Sequence, residues 1–169
     1  MILSNSVNGA EVKLSELYQE VILDHNKKPR NFGKIEEPTG YAHGVNPLCG
    51  DDYHIYLKVE PDGVLKQVTF EGQGCAISKS SASLMTTAVQ GKKVVEVKAM
   101  KDQFIHLLTD SIASDATRTA VGKLKIFEGV KQFPARVKCA TLIWRALEEA
   151  LKTPRDKKTE VSTEKEEKG

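Results

Sequence analysis

The spacing of apolar side chains along this chain changes period at identifiable breaks. From Leu14, apolar residues return at Leu17, Tyr18, Val21 and Ile22, the spacing of one face of an amphipathic helix. Pro29 and Gly33 end that helix, and a turn-rich stretch runs on to about residue 41. Tyr53, Ile55, Leu57 and Val59 then alternate with Asp52, His54, Tyr56 and Lys58, a period of two that predicts a half-buried strand. Pro61-Asp62-Gly63 signals a turn, and residues 64–70 return with β-branched and aromatic side chains. The two runs form an antiparallel hairpin, to which residues 41–45 are expected to add a third strand. Beyond Gly74 the period becomes helical, with Ile77, Ser81, Leu84, Met85 and Ala88 on one face and Gly91 as the stop. A weaker helix covers 94–108, and residues 109–123 read as a loop or a short exposed helix. Leu124, Phe127 and Val130 suggest a further helical turn. Pro134 opens the last helix, whose apolar face is Val137, Ala140, Thr141, Trp144, Leu147 and Leu151. Strands followed by helices predict an α+β domain: a small three-stranded antiparallel sheet with about five helices packed on one face.

Composition narrows the function classes. The 169 residues fit one domain, placed at 1–152. Residues 153–169 mix Lys, Asp, Glu, Ser and Thr with almost nothing to bury, the composition of a disordered charged tail. The net charge of +2 is not gathered into a basic stripe, so no nucleic-acid partner is expected. The N-terminus lacks a basic start followed by an apolar run, and no apolar stretch reaches membrane-spanning length. The reading is a soluble, cytoplasmic protein with no membrane partner. Three cysteines in a reducing compartment, an odd number, do not make a disulfide framework.

Those cysteines sit at significant places in the element map. Cys49 precedes the hairpin, two residues before Asp51; Cys75 lies where a strand hands over to a helix; Cys139 lies in the early turns of the last helix. A hairpin presents its entry and exit at the same end, so Cys49 and Cys75 are neighbours, and a last helix starting at that end adds Cys139. Helix starts favour thiolates. Three thiolates and a carboxylate form an S3O set that suits zinc or an iron–sulfur cluster, with the metal site at one end of the sheet and Arg136 and Lys138 offsetting its negative charge. The plain alternatives are a turn-capping role for Asp51 and small buried thiols at the cysteines. His43 and His54 lie near the Cys49 loop in sequence, within reach of a metal there as one alternative, with surface placement expected for both. Gly72-Gln73-Gly74 lacks the Lys-Ser/Thr pair of a phosphate loop.

Several motifs in order resemble the IscU/NifU-like iron–sulfur cluster assembly family, especially its SufU-type branch. They are the opening from Leu17-Tyr18 through Asp24-His25 and Lys28-Pro29-Arg30-Asn31, then Asn46-Pro47-Leu48-Cys49-Gly50-Asp51. Phe70-Glu71-Gly72-Gln73-Gly74-Cys75-Ala76-Ile77-Ser78 and Phe133-Pro134-Ala135-Arg136-Val137-Lys138-Cys139-Ala140-Thr141-Leu142, followed by Trp144, complete the set. The resemblance covers about residues 14–151. Lys138 stands where IscU proteins carry a histidine, and an extra segment at about 102–122 is also SufU-like. The resemblance implies zinc held by Cys49, Asp51, Cys75 and Cys139, and a cysteine desulfurase of the SufS type as partner. Cys49 is implied as the acceptor of persulfide sulfur, with a desulfurase histidine taking its place on zinc. It also leaves open a scaffold on which a transient [2Fe-2S] cluster is built and passed to apo-protein clients, together with other assembly proteins. On either reading the chain is a sulfurtransferase-like partner rather than a stand-alone enzyme.

Overall fold

The computed structural model describes residues 16–152 and 160–163. Helix α1 (residues 16–27) leads through a turn-rich segment into strand β1 (Gly40–Asn46). β2 (Asp51–Val59) and β3 (Leu65–Gln73) follow. The helices come next: α2 (Ala76–Val89), α3 (Val94–Thr109), α4 (Asp115–Val121), a 3-10 segment (Gly122–Gln132) and α5 (Pro134–Lys152). A short β4 (Glu160–Ser162) closes the described chain.

The sheet order is β3-β2-β1-β4. β1, β2 and β3 are antiparallel neighbours, as expected, but β4 lies parallel to β1, pairing Gly44 with Val161. The sheet is therefore four-stranded and mixed, which corrects the expectation of three antiparallel strands. β4 falls inside the segment read as a disordered tail; residues 153–159 and 164–169 of that segment lie outside the described residues. A strand of this kind leaves little trace in sequence, because its backbone N–H and C=O groups pair with the open edge of β1 whatever side chains they carry.

Period-two alternation gives the sheet two unlike faces. Ala42, Tyr53, Ile55, Leu57, Val68 and Phe70 are buried toward the helices, whereas Tyr41, His43, Asp52, His54 and Tyr56 lie half-buried on the opposite face. α5 packs across β1 and β2, and α2 packs between α5 and β3. At Gly40 the approach is so close that a Cβ would collide with the carbonyl of Ala150; only glycine lets the helix lie there. The larger side chains knit the outer helices to this layer: Phe104 stacks on Trp144 at 4.8 Å and meets Phe127 edge-on at 5.9 Å. Leu124, Phe127 and Val130 are all buried. Their spacing of three explains why this turn is 3-10 rather than α-helical, since positions i and i+3 eclipse there. α4 begins at Ser114, whose hydroxyl accepts the Thr117 N–H at 3.1 Å, a cap that the stretch 109–123 carried in its serines.

Candidate metal centre

Five backbone elements meet at one end of the sheet. β1 and β2 are joined by a turn of residues 47–50, which carries Cys49 at its exposed tip. Gly50 turns the chain back with φ of 71°, a conformation glycine adopts without strain. Asp51, the first residue of β2, pairs with Asn46, the last of β1. The inward period of β1 runs Ala42, Gly44, Asn46, and that of β2 starts at Asp51, so both polar side chains point under the helices. Cys75 follows β3 as the N-cap of α2, and its sulfur accepts the Ser78 N–H at 3.4 Å. Cys139 comes from α5, which crosses beneath β1.

The ligating atoms of Cys49, Asp51 and Cys139 lie within 4.8 Å of one another. Cys75 reaches the group through a thiol–thiol contact with Cys139. Asp51 is only 2% exposed. One of its oxygens accepts from the Cys75 N–H at 2.9 Å and the Ser78 hydroxyl at 3.0 Å, and the other from the Asn46 amide at 3.3 Å. All three donors are neutral. A buried carboxylate held, among the described residues, by neutral donors is costly, and a cation shared with three thiols relieves that cost. The donor set and its surroundings therefore fit zinc or a comparable thiophilic metal.

The thiols differ in character. Cys75 is held down to about 6 by its bond with Cys139 and by the Ser78 N–H and hydroxyl, against the opposing effect of burial. Cys139 is pushed up, by supplying that bond to Cys75, by burial and by contact with Cys49. Helix-start stabilisation of a thiolate thus holds for Cys75 and not for Cys139. Cys139 lies five positions beyond Pro134, past the first turn to which the dipole effect is confined.

The two expected supporting cations are placed differently. The Arg136 guanidinium lies over the Phe133 ring at 4.6 Å, exposed at the surface. It acts on the Tyr18 phenol, which burial pushes up and which also senses Cys75, so Arg136 stands beside the cluster rather than among its ligands. Lys138 is half-buried. Asn46 and Ser78 carry roles that the element map did not assign. Besides Asp51, the Asn46 amide reaches the Cys139 sulfur at 3.6 Å, and its carbonyl oxygen accepts from the Thr163 hydroxyl at 3.1 Å. Ser78 joins Asp51, Cys75 and the buried Tyr53 hydroxyl, 3.0 Å away. The available signals were the period of two along β1, which carries Asn46 inward, and the third position after a capping residue for Ser78.

A small sheet with one face under helices, and three thiols and a carboxylate gathered at its end, defines an α+β protein with a candidate thiolate metal site. The family described as "NifU-like N terminal domain" matches residues 17–140, and the chain belongs to that family. It is 38% identical over 138 residues to the zinc-dependent sulfurtransferase SufU of Bacillus subtilis, covering 82% of this chain and 91% of that protein. It is 40% identical over 139 residues to the iron–sulfur cluster assembly scaffold protein IscU of Thermotoga maritima, covering 80% and 93%. Among solved structures, a Fervidobacterium islandicum protein proposed as a scaffold for the SUF iron–sulfur cluster assembly system superimposes with a TM-score of 0.73. It is 33% identical, over 78% of this chain and 94% of the other. No helix among the described residues is long and apolar enough to cross a membrane.

Proposed function

We propose that this chain is a zinc-dependent sulfur acceptor for iron–sulfur cluster assembly, taking persulfide sulfur from a cysteine desulfurase onto Cys49. Cys49, Asp51, Cys75 and Cys139 are the zinc ligands of this reading. The observation that carries it is the unequal mounting of the thiols. Cys139 is buried in α5 and Cys75 caps α2, whereas Cys49 is exposed on a turn between two strands. A ligand that must reach a partner's persulfide is best drawn from such a turn. Leu48 beside it is 69% exposed and offers a docking protein an apolar contact.

When bound, zinc keeps its thiol ligands deprotonated at neutral pH. The Cys49 thiolate attacks the outer sulfur of the desulfurase's cysteine persulfide. One S–S bond breaks as another forms: Cys49 gains the sulfane sulfur, the desulfurase cysteine leaves as a thiolate, and there is no net oxidation. Asp51 stays oriented by Cys75, Ser78 and Asn46, and Asn46 also fixes Cys139. The pocket thus keeps its shape while the turn moves.

A second reading, a scaffold for a transient [2Fe-2S] cluster on the same residues, draws on the scaffold name of the Thermotoga relative at comparable identity. Incubation with desulfurase and cysteine, followed by mass-spectrometric mapping of the added sulfur, separates the two. Transfer predicts persulfide on Cys49 and iron-independent stimulation of the desulfurase, both abolished in Cys49→Ala. Persulfide chiefly on Cys139, or a reducible visible chromophore without iron-free stimulation, would establish the scaffold instead.

A further inference from the structure

The face of the sheet turned away from the helices carries a second cluster of ligating side chains. β1 and β2 pair His43 directly with His54, and the period of two turns both rings outward together with Asp52. The rings lie parallel, 4.3 Å apart with an interplanar angle of 5°. One Asp52 oxygen is 2.7 Å from His43 Nε2 and 3.8 Å from His54 Nε2. All three ligating atoms fall within 4.8 Å of one another.

We propose that His43, Asp52 and His54 form a second, thiolate-free site for a borderline divalent cation such as Zn2+, Co2+ or Ni2+. Three donors about 2.0–2.1 Å from one tetrahedral ion are about 3.3–3.5 Å apart. The observed 2.7 and 3.8 Å bracket that spacing. Because an imidazole binds an ion in its own plane and these rings lie parallel, both must turn out of the stack about their Cβ–Cγ bonds for the lone pairs to converge. A hydrogen-bonded ion pair accounts for His43, 2.7 Å from Asp52, whereas the His54 Nε2 at 3.8 Å is too far for a hydrogen bond to that oxygen. Two protonated rings stacked at this distance repel, whereas two neutral rings share a cation at no such cost. The second ring is also held in place: His54 Nδ1 lies 2.5 Å from the Tyr41 hydroxyl, and Tyr41 stacks on His54 at 5.9 Å. With its Nδ1 proton given to the phenol oxygen, His54 presents the Nε2 lone pair, the arrangement that orients histidine ligands at metal sites. Water fills the remaining positions, so the ion is exchangeable. Asp51 and Asp52 are consecutive and point to opposite faces, which keeps this site apart from the cysteine pocket. Both sites belong to the β1–β2 hairpin, and an ion here clamps the two strands behind the Cys49 turn.

The test is titration of the full chain, as purified, with Co2+ under anaerobic conditions. Thiolate ligation gives an intense near-ultraviolet charge-transfer band; nitrogen and oxygen ligation does not. The expected result is one equivalent bound without that band, with 15N resonances of the His43 and His54 Nε2 atoms displaced. His43→Gln and His54→Gln should each weaken that equivalent by more than about 100-fold, and Tyr41→Phe by about 10–100-fold. Their metal-free thermal unfolding should match the parent, showing that the fold is kept. Saturation with no band-free equivalent overturns the proposal, as does one that persists unchanged in both histidine variants. Either outcome leaves the assignment of the cysteine pocket intact, because its band is read separately.

Discussion

Replacing Gly74 by alanine strikes the cysteine pocket without removing any ligand. A Cβ at this position would sit 2.5 Å from the nearer Asp51 oxygen, 2.6 Å from the Ser78 hydroxyl and 2.7 Å from the Tyr53 hydroxyl. None of these is the loose end of a flexible chain. Asp51 is fixed by Cys75 N–H, Ser78 and Asn46, and Tyr53 and Ser78 are buried. The carboxylate must therefore move, weakening hydrogen bonds to a charged group that are worth about 1.5–3 kcal/mol each, in a site where overpacking alone costs about 1–3 kcal/mol. Partial relaxation brings the expected loss to about 2–4 kcal/mol, a fall in melting temperature of about 5–15 °C for a domain of this size. Displacing Asp51 should also weaken zinc binding. The assay is thermal unfolding with and without chelator, beside a competition titration for zinc. Gly129→Ala is the control, since nothing lies within 4 Å of its Cβ position and no loss is expected there. A Gly74→Ala protein that melts within about 1 °C of the parent and binds zinc equally well would refute the placement of Asp51.

Three further outcomes are expected. Asn46→Ala removes bonds to Asp51, Cys139 and Thr163 together, so it should cost about 1–3 kcal/mol and speed zinc loss to a chelator; unchanged chelation kinetics would count against its bridging role. Lys101 and Lys152 hold Glu148 down to about 2 from its ordinary 4.5. A depressed carboxylate stabilises the fold above its unfolded pKa and loses that contribution as pH falls toward 2. Glu148→Gln should therefore cost about 1 kcal/mol at pH 7, discounted for the pair's surface position, with the difference from the parent vanishing near pH 2–3 in urea titrations; a pH-independent difference would contradict the pairing. Truncation after Lys152 removes β4, the buried Val161 and the Thr163–Asn46 bond. Net of the entropy of ordering the strand, it should lower stability by about 1 kcal/mol, and an unchanged urea midpoint would show that β4 adds nothing.

Local sequence determined the β2–β3 hairpin, α2 and α5, because each buries its own apolar stripe and the period is written in consecutive residues. It also placed each cysteine relative to an element boundary, since Gly50, Gly74 and Pro134 mark those boundaries chemically. The tertiary structure decided the rest. β4 pairs through sequence-blind backbone groups across more than a hundred residues, so no side-chain period announced it. Asn46 was legible as the inward end of β1, but its grip on Cys139, 93 residues away, exists only because α5 crosses beneath that strand. The contrast between Cys75 and Cys139 arises the same way: both sit near helix starts in sequence, yet their proton affinities diverge through their contact with each other and through the Ser78 bonds made to Cys75. His43 and His54 were readable as surface residues, and only the register of β1 on β2 made them a stacked pair over Asp52. A side-chain period reports which face a residue takes, whereas a metal site depends on which distant faces meet, and packing alone fixes that.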